Sequence, residues 1–297
     1  MKIKIILLLL LFSTVSFAQY NFPFTSRYAT LHLMVNTNLK KFFEADSKRL
    51  REAKVKLITA GNDSEPEFEK FEVNSRGLIE NYITHSELYL MGEDETEYNI
   101  KYNIGGQISY IYHSPDQTAF FYEHDFGKYS GLKSESYDGI DYTCKYYYRD
   151  EMPDSLYTDL NYNGKRTSTR FKIETDAEAR LIKKITDVTI PTPEIAFTVS
   201  ADDKSMTIKA PDVKDDLSAF YMPPRADYDY QKYMKFIFEG DKIASYTTIK
   251  KIKETIYIYT TAFTYQPNGL IDTVIITKSS GGNQLYTKSF KYKYEYY

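Results

Sequence analysis

From about Glu67 to the C-terminus, short runs of alternating apolar and polar residues are broken by turn-forming residues about every ten to twenty positions. A period of two puts neighbouring side chains on opposite faces of a strand, so the pattern predicts an antiparallel β protein. Several of these runs share one design. "FEVNSRGLIENYI" (Phe71 to Ile83) and "FTYQPNGLIDTVI" (Phe263 to Ile275) both place an amide or turn residue, then glycine, then Ile two positions on and an apolar residue five positions on. "IKYNIGGQISYIY" (Ile100 to Tyr112) is a third version, with Asn103, Gly106, Ile108 and Ile111 in the corresponding places. In each, alternate apolar residues share a face, a polar side chain opens the turn, and glycine takes the positive φ of the return, so each is expected to be a β-hairpin.

Shorter relatives follow the same logic. "FIFEGDKIASY" turns at Gly240-Asp241 and "DLNYNGKRTS" at Asn163-Gly164, while "FKIETDAEARLIKKI" is a lengthened copy with Ala177 in the place of the glycine. In the tail, Tyr286, Phe290, Tyr292, Tyr294 and Tyr296 fall on one face and Thr287, Ser289, Lys291, Lys293 and Glu295 on the other. With "TIYIYTTAFTY" and "LIDTVIIT" before it, this segment predicts a three-stranded meander.

These hairpins resemble the tyrosine-aspartate repeats of the Rhs family, whose units also run from an aromatic strand through an acidic or amide turn and a glycine to an apolar strand. The resemblance covers about a third of the chain after its first 18 residues. The copies here are irregularly spaced, and the tyrosine-aspartate pair is not kept. What the resemblance implies is an architecture, a stacked or curving antiparallel sheet, with no catalytic residue.

The N-terminus is organised differently. Lys2 and Lys4 precede an apolar run from Ile5 to Phe12, and Ser16-Phe17-Ala18 has small residues where a signal peptidase reads. Residues 1–18 are therefore expected to be a secretory signal peptide; an unbroken apolar run this short would not span a bilayer. The style of this segment resembles that of exported Gram-negative proteins, particularly of the Bacteroidetes group. Residues 19–62 should supply an extended segment and an amphipathic helix, with Leu39, Phe42, Phe43, Leu50, Ala53 and Leu57 at helical spacing. Asn36, Thr37 or Asn38 would cap that helix and Gly61 would end it. Residues 63–297 form the β region, either one sheet system or two lobes divided near 190–194, where "IPTPE" interrupts the pattern.

Composition narrows the functional classes. Acids and bases are well mixed, and loss of Lys2 and Lys4 would take the formal net charge from -3 to -5, which argues against a nucleic-acid partner. Cys144 is the single cysteine, so no intramolecular disulfide supports the fold. Thirty tyrosines with no tryptophan fit a large amount of half-buried sheet better than an aromatic platform for sugars or peptides.

Residues able to do chemistry are present but scattered. Asp159, Asn161, Asn163 and Gly164 match the first half of a calcium loop, yet Arg170 stands where the closing glutamate belongs, so the segment reads as a turn. His32, His85, His113 and His124 form no zinc-type helical pair. Glu123, His124 and Asp125 are neighbours on a strand-like stretch and would point to opposite faces. Cys144, beside Lys145, has no histidine nearby in sequence and reads as a small core residue. No catalytic, cofactor-binding or metal residue is assigned, and no cofactor is implied.

The expectation is an exported, mainly β protein with one N-terminal amphipathic helix, more a binder or envelope-assembly component than an enzyme. It would act through its sheet surface or edges, for example by strand addition to an envelope protein, or on a glycan. It would work in the periplasm, at the outer-membrane surface or outside the cell, without a helical anchor. An outer-membrane β-barrel is the alternative, suggested by the Tyr-rich strands and the aromatic last residue Tyr297, although Lys288 shares the aromatic face of the final strand. A glycan hydrolase built from carboxylates distant in sequence is the third reading.

Overall fold

A computed structural model describes residues 37–62, 69–84, 96–114, 117–125, 128–135, 140–162, 164–176, 178–210, 233–252 and 255–297. One helix, α1 (Lys40–Glu52), precedes the strands β1 (Val55–Gly61), β2 (Glu69–Val73), β3 (Ile79–Thr84), β4 (Thr96–Tyr102), β5 (Ile108–Ser114) and β6 (Thr118–Asp125). There follow β7 (Lys128–Glu135), β8 (Ile140–Arg149), β9 (Met152–Tyr162), β10 (Lys165–Asp176), β11 (Leu181–Asp187) and β12 (Glu194–Ala201). The last six are β13 (Ser205–Lys209), β14 (Tyr233–Glu239), β15 (Lys242–Ile252), β16 (Thr255–Tyr265), β17 (Ile271–Ser280) and β18 (Asn283–Tyr296). The segment expected to be a signal peptide lies outside the described residues, as do His32 and His85.

Each of these strands pairs antiparallel with the next, and β1 pairs with β18 through Ile58↔Tyr294 and Ala60↔Tyr292. The sheet is a closed ring, a mainly β architecture with one helix near the N-terminus. The "IPTPE" stretch runs from the β11–β12 connection into β12 at Glu194, and β11 and β12 are paired neighbours. Closure removes the exposed strand edges that strand addition requires, so the edge-binding part of the expectation is withdrawn among the described strands.

The three glycine hairpins adopt the same backbone. In β2–β3, β4–β5 and β16–β17 the glycine N–H donates to the amide residue's carbonyl three positions back (Gly77→Asn74, Gly106→Asn103, Gly269→Gln266) at 2.8 to 2.9 Å. The amide residue's own N–H donates to the carbonyl four positions on, at 2.8 Å in each. The glycines have φ of +74°, +78° and +82°, and a bulge follows at Val73↔Ile79, Tyr102↔Ile108 and Tyr265↔Ile271. Tyrosines tie adjacent hairpins together at this rim. Tyr102 donates to the Ile79 carbonyl at 2.6 Å, Tyr265 to Ile243 at 2.8 Å, and Tyr294 to Ile271 at 2.7 Å. Part of the tyrosine content thus serves to hold neighbouring hairpins together.

The lengthened hairpin between β10 and β11 takes a positive φ at Arg180, one residue before Leu181-Ile182, and Ala177 lies outside the described residues. Two expectations about the helix need correction. The helix ends at Ala53 and not at Gly61: Lys54 takes φ +54°, and Leu57 lies on β1. The β-favouring run from Val55 outweighs the helical spacing there. Asn38 does not cap the helix by its side chain either. Its amide instead donates to the Ile182 carbonyl at 3.0 Å and accepts from the Ile182 N–H at 2.7 Å.

α1 lies against the turns at one end of the ring. Beyond the Asn38 clamp, Arg49 pairs with Asp241 in the β14–β15 turn at 2.5 Å, and Phe42 stacks on Phe238 at 4.3 Å. Leu39, Phe42, Phe43 and Leu50 are buried and join the barrel's interior cluster. That interior is apolar: Phe71, Tyr82, Tyr98, Ile111, Phe120, Leu156, Phe171, Ile185, Phe236, Phe263 and Phe290 all face inward and are buried. Aromatic rings stack across strands inside, Phe71 on Tyr82 at 4.7 Å and Tyr82 on Tyr98 at 5.6 Å. Outside, the same strands expose Glu72, Lys101, Glu123, Lys133, Lys145, Arg170, Lys172, Lys235, Lys291 and Lys293.

Candidate functional site

Beneath α1 the interior leaves a cavity of about 30 Å³, lined by Asp46, Arg49, Glu69, Tyr82, Leu270, Tyr292 and Tyr294 among others. Such a space holds one or two waters and not a sugar ring. Sequence patterning did not single out Asp46 or Glu69, because each reads as one charge among many. Glu69 starts β2 on the inward register, opposite Ala60, and is buried. Its two oxygens accept hydrogen bonds from the Tyr82 and Tyr292 hydroxyls, each at 2.8 Å. Burial pushes the Glu69 carboxyl above the ordinary range, and the two tyrosine donors offset part of that push.

Asp46 sits on the inner face of α1 and accepts a hydrogen bond from Arg49 at 2.6 Å. Burial pushes its carboxyl up to about 6 despite the favourable charge of Arg49. A carboxyl that binds its proton more tightly when folded stabilises the native state at low pH, and that contribution is lost as pH rises from about 4 to about 6. Glu69 acts in the same direction. Asp159, Asp176 and Asp202, held below the ordinary range by hydrogen bonds, act oppositely, but they are little buried and screened by solvent. The Asp46→Asn variant should therefore be more stable than the wild type at pH 7, by up to about 3 kcal/mol, and similar to it near pH 4. Urea unfolding at the two pH values checks this.

The cavity brings two carboxyls and an arginine together, but these groups already serve one another and the tyrosines. The residues weighed for chemistry from the sequence are elsewhere. Asp159 lies on the outer face of β9, bonded to Arg166 Nε at 2.8 Å and to Ser168 at 3.0 Å, and exposed Arg170 pairs with Tyr157 on the neighbouring strand. The β9–β10 hairpin that carries Asp159, Asn161 and Gly164 is salt-bridged, and Asn163 lies outside the described residues. Glu123 and Asp125 are exposed, whereas His124 is partly buried, with a register shift between Glu123 and His124. Cys144 is buried on the inner face of β8 between Tyr142 and Tyr146, and burial raises its thiol well above the ordinary value. A thiol in that state is a poor nucleophile. Among the described residues, no three His, Cys, Asp or Glu side chains gather as a metal site requires.

At the opposite end of the ring, β16, β17 and β18 turn a different set of side chains inward. Register pairs Lys278 with Tyr259 on one side and Tyr286 on the other, and pairs Lys288 with Ile276 one step along. The Lys278 ammonium stands 4.1 Å from the Tyr257 ring centroid, 5.4 Å from Tyr259 and 5.9 Å from Tyr286.

No protein-family model matches the chain. No curated protein matches it either. Among solved structures, it is similar to a porin-like protein from Bacteroides uniformis ATCC 8492, at 13% identity and a TM-score of 0.37, over 82% of this chain and 97% of that one. It is also similar to the Tc toxin complexes TcdB2-TccC3-Cdc42 and TcdB2-TccC3, at 7% and 8% identity and TM-scores of 0.29 and 0.31. Those matches cover 74% of this chain and 14% of the toxin chains, and give the Rhs resemblance no more than a weak hint. At these scores the likenesses carry no functional argument. No helix among the described residues is long and apolar enough to cross a membrane, which says nothing about crossing by strands.

Proposed function

We propose that this protein is an exported β-barrel that works in the cell envelope by non-covalent binding, with its outer wall in water. Closure of the ring is the architecture the outer-membrane alternative calls for, and it fits that alternative better than strand addition at open edges. The observation that carries the present reading is the sidedness of the wall. A transmembrane barrel of this strand number presents an apolar band to lipid and encloses a polar lumen. Here the order is reversed: Phe, Tyr, Ile and Leu fill the inside, and Lys101, Lys133, Lys145, Arg170, Lys172, Lys235, Lys291 and Lys293 stand exposed outside.

The magnitudes favour water. A Lys or Arg on the lipid face costs about 2–4 kcal/mol near the bilayer midplane. Even if only half of these residues lay at that depth, the cost would match the roughly 5–15 kcal/mol by which folded domains are stable. The export part of the reading rests on the signal-like first 18 residues. A glycan hydrolase finds less support, since the cavity with paired carboxyls admits only water-sized guests.

Fractionation of the producing bacterium tests the proposal, with an alkaline wash of the membranes and a heated-versus-unheated gel on any membrane pool. The protein should appear in the soluble or washable fraction, with the same mobility heated or not beyond ordinary unfolding. Retention after the wash, with a heat-dependent shift, would establish the integral barrel instead.

A further inference from the structure

We infer that the end of the barrel opposite α1 carries an anion-recognising subsite, with Lys278 as its charge and Tyr257, Tyr259 and Tyr286 as its walls, suited to a sugar bearing a carboxylate or phosphate. The inference deepens the binding reading above and rests on it. Lys278 differs from the charges gathered beneath α1. Glu69 is held by two tyrosine hydroxyls, Asp46 by Arg49, and Arg49 also by Asp241. Lys278 is half-buried on the inner face of β17, and among the described residues no carboxylate lies within ion-pair distance of it.

Its neighbours are aromatic faces instead. The ring quadrupoles attract the ammonium and help keep it charged, while partial burial lowers its pKa, so the charge is poised but not neutralised. The same three tyrosines that flank the amine are partly exposed, and each combines a flat apolar face with a hydroxyl. A sugar ring offers C–H faces for such walls and hydroxyls for their tips, and an acidic substituent supplies the counter-charge the ammonium lacks. Lys288, one step along on β18, is inward too.

The test uses the purified chain lacking residues 1–18 and isothermal titration with glucuronic acid, glucose 6-phosphate, inorganic phosphate and glucose. Glucuronic acid and glucose 6-phosphate should bind, and glucose should bind much more weakly. Lys278→Met should weaken binding of both anionic sugars by at least about tenfold, the effect of losing a charged hydrogen bond. Lys278→Arg should retain it to within about threefold, because the charge is kept. Tyr286→Leu should weaken the sugars but not inorganic phosphate. Unchanged thermal melting of the variants separates lost binding from lost folding. The inference is overturned if the wild type binds neither anionic sugar at concentrations about ten times a millimolar Kd. Equal binding by Lys278→Met would overturn it as well. Inorganic phosphate binding as tightly as glucose 6-phosphate would remove the sugar from it. These outcomes are independent of the fractionation result, so failure here and failure of the water-exposed reading are separately visible.

Discussion

Gly77→Ala should destabilise the protein by about 2–5 kcal/mol, whereas Gly164→Ala, at a nearly equal φ, should cost only about 1–2 kcal/mol. Both glycines occupy the left-handed region, at φ +74° and +76°. They differ in what a side chain would meet. A Cβ on Gly164 would meet nothing within 4 Å, while on Gly77 it would lie 2.5 Å from the Ser47 carbonyl oxygen and 2.8 Å from the Arg51 nitrogen. Those are backbone atoms of α1, so the clash cannot be relieved by a side chain stepping aside. Relief requires the helix to lift from the β2–β3 turn, which would loosen the buried contacts of Phe42, Phe43 and Leu50. Urea unfolding of the two variants measures the difference. Equal costs would mean that α1 does not rest on this turn.

Glu69→Ala should cost about 2–5 kcal/mol at pH 7, and Glu69→Gln much less. Truncation leaves the Tyr82 and Tyr292 hydroxyls buried without their acceptor, at about 1–3 kcal/mol each, and relief of the buried carboxylate returns part of that. Glutamine keeps a carbonyl acceptor for one hydroxyl and offers its amide to the other, and it removes the charge that burial disfavours. The pair of variants therefore separates the need for a hydrogen-bonding group from the need for a charge. If Glu69→Gln proves as damaging as Glu69→Ala in urea unfolding, the charge itself is required, and the raised pKa would have to be explained by a proton-linked role.

The hairpins were the most legible part of the fold. Asn74 with Gly77, Asn103 with Gly106, and Gln266 with Gly269 each carry their turn within a few residues, so local sequence was sufficient. The meander of β16 to β18 was equally clear from its alternation. The helix is legible at Phe42, Phe43 and Leu50 and not at its ends, because Lys54 takes a conformation for which it shows no preference and Asn38 spends its amide on Ile182, 144 residues away. Arg180 is illegible for a similar reason, since a glycine-like role at an arginine has no local mark.

Ring closure is legible only as the barrel alternative, because nothing in β1 alone points to β18. The inward charges were hidden in the same way. Glu69 and Lys278 look like ordinary members of an alternating strand until register assigns their faces, and a shift of one residue would place either in solvent. Lys288 shows its aromatic face within its own strand, whereas Lys278 does not, since its partner rings come from the two neighbouring strands.

The seam between β1 and β18 also governs when the molecule can be finished. Val55 meets Tyr296, and the Tyr297 N–H donates to the Lys54 carbonyl at 2.9 Å, so the first strand of the ring is completed by β18. Pairings that span nearly the whole chain carry a large loop-closure entropy and come late in folding. Until then the two sides of the seam are unpaired strand edges, open to the wrong partner. Closure of the ring therefore waits on the one pairing whose two strands lie farthest apart in sequence.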